Sequence, residues 1–266
     1  MPFRLTSTWQ DKGCEIGIWQ AENKLIAWAV FQPPWSSFDY ALQPSEWGSS
    51  LEVEILTWGK EQIQGYLERT GENSSGCVEF FEDRPKAEKT VDYLKQLGFK
   101  KVDWSTPRFA IDLDRDLPQP QLPAGFTIRP FRGSTEVDAY VSLYHAVFAL
   151  GGMGMTAAWR MRTLQHPPYQ SDIDFVVVSP DNQLVGFCTC WMWQGLGQIE
   201  PLGIHPEYQR QGLGRALERT ALGALRNRGA KFAYIDHGSY NDRAIALSLQ
   251  TGFKQINNAQ RYCIEK

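Results

Sequence analysis

The stretch Gln198–Thr220, QIEPLGIHPEYQRQGLGRALERT, decides the fold. It begins as an apolar strand through Ile199, Leu202 and Ile204, then passes His205-Pro206 into a polar turn, Gln209-Arg210-Gln211-Gly212-Leu213-Gly214. A helix follows, with Leu213, Ala216, Leu217, Ala221, Ala224 and Leu225 at the spacing of one buried face. A strand that feeds a glycine-punctuated turn and a helix start builds an anion site. The first helical turn presents backbone N–H groups without intrahelical partners, and the macrodipole adds positive charge there. Gly212 and Gly214 let the backbone approach an anion closely because no Cβ intervenes. Arg210 and Arg215 flank the turn with charge.

Gln-x-x-Gly-x-Gly between an apolar strand and an amphipathic helix resembles the pyrophosphate signature of the GNAT superfamily of N-acetyltransferases. A second piece supports the resemblance. Asn241-Asp-Arg-Ala244-Ile-Ala-Leu247-Ser248-Leu-Gln-Thr-Gly252-Phe253 is similar to the family's later helix, usually Asn-x-x-Ala-x-x-Leu-Tyr-x-x-x-Gly-Phe. The two pieces stand in the family's order, with a strand at Phe232 to Asp236 between them. The resemblance is clear over about Phe126 to Lys266 and faint before it.

The 266 residues suit two domains, and a hydrophobic fraction of 42% suffices for packed cores. No apolar run is long enough to span a membrane, and the N-terminal residues lack a signal-peptide core, so the expectation is a cytoplasmic protein with no membrane partner. Five cysteines in no framework spacing fit a reducing compartment. Cys188-x-Cys190 reads as two buried small side chains on one strand face, and no Cys/His cluster has zinc spacing, so no metal is expected. Residues 1–124 carry 13 Lys+Arg and 19 Asp+Glu, a net −6, and residues 125–266 carry 14 and 11, a net +3. A +3 half agrees with an anionic cofactor and is too weak to argue for nucleic acid. Oligomeric state is not readable.

In chain order, Cys14 to Gln20 and Leu25 to Phe31 read as a hairpin, followed by a loop over Pro33 to Ser50. Leu51 to Leu56 alternates as a strand, Glu61 to Arg69 as a helix, Cys77 to Phe81 as a strand and Lys86 to Leu97 as a helix. Phe99 to Trp104 and Phe109 to Leu113 read as a strand pair. Three short matches suggest a duplication: Gly98-Phe99-Lys with Gly252-Phe253-Lys, Arg108-Phe-Ala-Ile-Asp with Arg261-Tyr-Cys-Ile-Glu, and Gly65-Tyr-Leu-Glu-Arg-Thr70 with Arg215-Ala-Leu-Glu-Arg-Thr220. The first copy lacks the glycine turn, and no pyrophosphate site is expected there. A proline-rich linker over 118–124 separates a degenerate domain, 1–117, from an acetyl-CoA-binding domain, 125–266. In the latter, Ser134 and Thr156 are expected to cap two helices around a loop at Gly151 to Gly154. The fold class is α/β (α+β), two GNAT-like domains, each a mixed, mostly antiparallel sheet flanked by helices.

Apolar parity shifts between Ile199 and Leu202, which predicts a β-bulge near Glu200-Pro201; the alternative is that Pro201 merely ends ladder pairing. The resemblance implies that this strand splays from its neighbour and that Leu202, Gly203 and Ile204 pair with the pantetheine arm of acetyl-CoA. It implies pyrophosphate contacts from Gln209, Arg210, Gln211, Gly212, Leu213, Gly214 and Arg215, with Asn241 near the cofactor as well as capping its helix. Amine acetylation needs a base, an oxyanion donor and a proton for the leaving thiolate. Glu200 is the base candidate, backbone N–H near Leu202 the oxyanion donor; His145 is a weaker candidate, and His205 reads as structural. Ser248 stands where the family usually has its tyrosine acid, and Tyr240 is a speculative substitute. The reading is direct transfer of acetyl from acetyl-CoA to a primary amine of an unidentified small molecule or peptide. The rival readings are a non-catalytic acyl-CoA-binding module and a nucleotide triphosphate site, which the missing Gly-Lys-Ser/Thr ending opposes.

Overall fold

The computed structural model describes residues 6–7, 16–35, 37–71, 75–148 and 154–265. Along the chain, strands β1 (Ile16–Ala21), β2 (Lys24–Gln32) and β3 (Ser37–Leu42) lead to helix α1 (Ser50–Thr70), then β4 (Ser75–Phe81), α2 (Ala87–Gln96) and β5 (Lys100–Asp112). Next come β6 (Thr127–Pro130), α3 (Val137–Phe148), α4 (Ala157–Gln165), β7 (Asp174–Val178) and β8 (Leu184–Trp193). The chain continues through β9 (Leu196–Ile204), α5 (Leu213–Asn227), β10 (Phe232–Asp236), α6 (Asp242–Thr251) and β11 (Lys254–Glu265). The order β1-β2-β3-α1-β4-α2-β5 repeats as β7-β8-β9-α5-β10-α6-β11, and in both runs a short 3-10 turn opening on proline follows the third strand.

The chain forms two compact units that interleave in sequence. The later unit takes Thr6, Ser7, Arg108–His237 and Asn241–Ile256; the earlier unit takes the described residues from Ile16 to Pro107, Gly238–Tyr240 and those from Asn257 onward. Division at 117 and 125 therefore does not describe the compact units. The second half of β5 pairs with β10 in the later unit, Arg108 opposite Asp236, and most of β11 pairs with β4 in the earlier one, Arg261 opposite Glu79. Both arginines bind the carboxylate they face: Arg108 Nε and Nη2 donate to Asp236 at 2.8 Å, and Arg261 Nη1 donates to Glu79 Oε1 at 2.7 Å. Each closing strand thus completes the sheet begun by the other half of the chain. Strand order is β5-β10-β9-β8-β7-β6 in the later unit and β1-β2-β3-β4-β11 in the earlier one. Only β9–β10 and β3–β4 run parallel among the described pairs.

Several expectations need correction. Leu51 to Leu56 is not a strand but the start of α1, whose buried residues Glu52, Ile55, Leu56, Gly59, Ile63 and Leu67 keep helical spacing from Glu52 to Leu67. Six residues of Leu-Glu-Val-Glu-Ile-Leu alternate by coincidence; the longer period decides. The third strand hides in the supposed loop, as β3. Gly65 to Thr70 closes α1 whereas Arg215 to Thr220 opens α5, so that match is accidental, while the other two hold structurally. Phe99 to Leu113 is one strand, β5, which passes from one unit to the other after Pro107. Ser134 lies inside a 3-10 turn and caps nothing, whereas Thr156 accepts from Trp159 N as expected. Cys77 and Cys263, opposite one another in the β4–β11 ladder, form a disulfide, which removes the thiol argument for a reducing compartment. Cys188 and Cys190 are buried and reduced; Cys14 and Gly151 to Met153 lie outside the described residues. No described helix is long and apolar enough to cross a membrane.

In the later unit β8 is apolar on both faces because both are covered. Cys188 and Cys190 join a core with Leu213, Leu217, Leu225, Ile235 and Phe253, from α5, β10 and the end of α6. On its other face Phe187 meets Tyr140, Tyr144 and Phe148 of α3. This fixes β9 between β8 and β10 with one helix layer on each side.

Candidate active site

The site starts from two irregularities of β9. Against β8, Ile199 faces Cys190 and Leu202 faces Cys188, so Glu200 and Pro201 together stand opposite Thr189. Two residues against one is a β-bulge, as the parity shift requires. Pairing resumes beyond it at Gly203 and Ile204, so Pro201 does not end the ladder. Against β10, the parallel ladder holds only from Leu196–Phe232 to Gln198–Tyr234. Past that point β9 runs on to Ile204 without a ladder partner on the β10 side. The strands splay and leave the edge of Leu202, Gly203 and Ile204 open toward the gap. Gly203 has a separate reason to be glycine: a Cβ there would sit 2.6 Å from Val147 and 2.7 Å from Phe187.

The turn after β9 delivers the chain to the mouth of that gap. His205 Nδ1 accepts from Glu207 N and caps the 3-10 turn, and Gln209 Nε2 donates to Ile204 O. Both are structural uses. Arg210 and Gly212 have positive φ, 65° and 84°. Gly212 then stands at the N-cap of α5, where no side chain caps the helix. Arg210, Gln211, Gly212 and Arg215 are exposed, and a Cβ on Gly212 would meet nothing within 4 Å. The N–H groups of the first turn thus face open space in a backbone conformation suited to glycine. Gly214 lies against α6: its Cβ would touch Leu247 at 3.3 Å and Ile204 at 3.7 Å. Arg215 Nη2 donates to Gln250 Oε1, which braces the same two helices.

On the α3 side of the gap lies a polar group. Gln198 Nε2 donates to Glu200 Oε2 at 2.9 Å, and Trp191 Nε1 donates to the Glu200 carbonyl at 2.7 Å. The Asp236 carboxylate raises the Arg108 guanidinium, and Glu200 contributes to the same field. On the α5 side lie Ser248, His237 and Glu218. Ser248 Oγ is fully buried, 2.9 Å from His237 Nε2 and 2.9 Å from Glu218 Oε1. Burial pulls His237 down to about 4 and raises Glu218. Neither His237 nor Glu218 stands out in the sequence. The available signal was a histidine directly after a strand and a glutamate on the apolar face of α5.

Asn241 caps α6, its side chain accepting from Ala244 N. Tyr240 belongs to the earlier unit, 76% exposed and edge-on to Trp104. His145 Nε2 is held 2.7 Å from the carbonyl of Met155, a packing role. No cluster of metal-binding side chains occurs among the described residues.

A mixed sheet with a bulged, splayed central strand feeding an uncapped glycine turn defines the GNAT class of folds. Residues 150–253 match the family model described as the acetyltransferase (GNAT) family. The chain is 31% identical over 169 residues to the mycothiol acetyltransferase of Salinispora arenicola (strain CNS-205), covering 59% of this chain and 53% of that one. It is 29% identical over 141 residues to that of Streptomyces coelicolor, covering 52% and 46%. The chain thus spans about half the length of these curated relatives. Among solved structures, a GCN5-related N-acetyltransferase from Sphaerobacter thermophilus superposes with a TM-score of 0.74 at 20% identity, covering 95% of this chain and 81% of that one. A tandem GNAT protein from the clavulanic acid biosynthesis pathway gives 0.69 at 13%, covering 95% and 83%. These two likenesses establish the fold.

Proposed function

We propose that the protein is an acetyl-CoA-dependent N-acetyltransferase acting through its later unit. The observation that carries this reading is the uncapped, glycine-started N-terminus of α5 at the mouth of the β9–β10 gap. The first-turn N–H groups and Arg210 would hold the pyrophosphate, and the open edge of Leu202 to Ile204 would pair with the pantetheine amides. Bound acetyl-CoA supplies a thioester carbonyl. Glu200, on the α3 side, would take the proton from the acceptor ammonium, directly or through water. A backbone N–H near Leu202 would meet the oxyanion.

The acceptor would approach from the α3 side, over Gln198, Glu200, Tyr234 and the Arg108–Asp236 pair. The name shared by the relatives directs the first acceptor trials to primary amines related to mycothiol. The earlier unit would keep the architecture without cofactor, as a degenerate copy.

The test is calorimetric titration with acetyl-CoA, followed by CoA release with a panel of primary amines. About one site per chain and amine-dependent release support the reading. Binding without release from any amine would leave an acyl-CoA-binding module instead. No binding would overturn the reading.

A further inference from the structure

Ser248, His237 and Glu218 form a buried polar chain inside the later unit, on the side of the sheet away from Glu200. His237 follows the last residue of β10, three residues beyond the final β9–β10 ladder pair at Tyr234, so it stands where the gap has opened. Ser248 lies one residue after Leu247, which lines the mouth of the gap against Gly214. Glu218 comes from the buried face of α5 and is itself fully buried. Its Oε1 meets Ser248, and its Oε2 has no hydrogen-bond partner among the described residues. No cation pairs with this carboxylate among the described ion pairs. An ionised carboxylate held by hydroxyls and no cation is costly in such a place, and the un-ionised acid costs less. The geometry is the same for a proton on either end of the chain: both contacts are 2.9 Å, and hydroxyl and imidazole each donate and accept.

We infer that Glu218, Ser248 and His237 form a proton relay which delivers a proton from the Glu218 carboxyl to the leaving thiolate of CoA. The relay takes the place of a single acid on α6, a position where serine is too short and too weakly acidic to serve alone. The transfer balances as follows. The Glu218 O–H bond breaks as Ser248 Oγ gains that proton; the Ser248 hydroxyl proton passes to His237 Nε2. The Nδ1–H of His237 breaks as the S–H bond of CoA forms. Glu218 is left as a carboxylate and His237 as the Nε2–H tautomer; the relay resets when solvent, which receives the proton released by the acceptor amine, returns one to His237 Nδ1 and the Nε2 proton passes back through Ser248 to Glu218. His237 starts and ends neutral, which suits a ring that burial keeps from holding a charge.

The groups facing the relay are few. Arg219 adjoins Glu218 on α5, Thr251 and Ser248 reach it from α6, Cys188 faces it from β8, and Asp236 adjoins His237 at the end of β10. Arg219 is too weak an opponent to undo the effect of burial, which dominates and raises Glu218.

This inference rests on the acetyl-transfer reading above, and two measurements separate them. The first is kinetic, with the amine that releases CoA fastest. Ser248→Ala and Glu218→Gln are each expected to lower kcat by about a hundredfold, with acetyl-CoA Kd unchanged. Because the groups act as a unit, the double variant is expected to be no slower than either single one. Wild-type kcat should fall on the alkaline side as Glu218 ionises, and that limb should vanish in Glu218→Gln. Additive losses with an unchanged pH profile, or no loss, would overturn the relay. The second measurement needs no turnover: the infrared carbonyl band of an un-ionised buried carboxyl at neutral pH, present in the wild type and absent from Glu218→Gln. Its absence from the wild type would overturn the relay even if the enzyme acetylates amines. Failure to bind acetyl-CoA would overturn the acetyl-transfer reading and the relay with it, whereas binding and turnover without the band would overturn the relay alone.

Discussion

Two helix N-termini occupy equivalent places in the repeat and are finished in opposite ways. Both α1 and α5 follow a third strand and a proline-led 3-10 turn, and both are preceded by a glycine with positive φ, Gly48 at 70° and Gly212 at 84°. At α1 the donors are taken. Ser49 accepts from Leu51 N, and the Glu52 carboxylate reaches back to Gly48 N at 2.6 Å. The pair is a variant of the capping box, with Ser49 on the second rather than the third helical N–H and Glu52 on the residue before the cap. Glu52 is fully buried and bonded in turn by Arg84, Tyr40 and Thr90. Burial and the Glu52 charge together push the Tyr40 phenol well up. At α5 no side chain caps the helix, and the turn is open to solvent. The same architecture starts its helix with a side-chain cap in one unit and without one in the other, through the residues of one turn.

That contrast can be broken from either side. The largest effect is expected at the closed end. Glu52→Ala removes the cap and strands Arg84 in its pocket, so denaturant unfolding should show a loss of about 3–5 kcal/mol. Calorimetry on the folded fraction should show acetyl-CoA affinity unchanged; a large change would mean that α1 shares in the site. Next, Gly212→Asp combines a strained left-handed residue with a negative charge at the anion site, and should weaken acetyl-CoA binding about a hundredfold or more. The matching change Gly48→Asp should leave that affinity intact.

A smaller effect concerns pH. His237 is neutral in the fold down to about 4, while an unfolded histidine takes its proton near 6.5. Between those values the unfolded chain binds more protons, so stability rises with pH across the window and falls on acidification through it. Thermal melts from pH 7 to pH 4 should therefore lose on the order of 2 kcal/mol more in the wild type than in His237→Gln. Equal slopes would show that the ring is not kept neutral by its surroundings. The smallest expected change is at the ordinary caps: Ser49→Ala and Asn241→Ala should each cost about 1 kcal/mol in denaturant titrations.

Much of the later unit was legible because its signals are local. A glycine pair after an apolar strand, an asparagine before a helix and a parity slip at Glu200 each report on neighbouring residues. The earlier unit was less legible for the same reason. Its capping box was read as part of a strand because six alternating residues outweighed a longer helical period. The relay was invisible because its members come from three elements, Glu218 from α5, His237 from the end of β10 and Ser248 from α6. Only the tertiary packing of α5 against α6 brings them within hydrogen-bond reach. The Cys77–Cys263 pair was hidden more deeply, since 186 residues separate its halves and nothing local marks the register that joins them.

The exchange of closing strands has a consequence for how the chain is made. A protein emerging from the ribosome usually folds its first domain while later segments are still being translated. Here β4 waits for Ala259 to Glu265 before its antiparallel neighbour exists. The earlier unit therefore stays incomplete through the synthesis of nearly the whole later one, with the β4 edge exposed as an open template for mispairing. The order of synthesis and the order of completion are reversed for the two units.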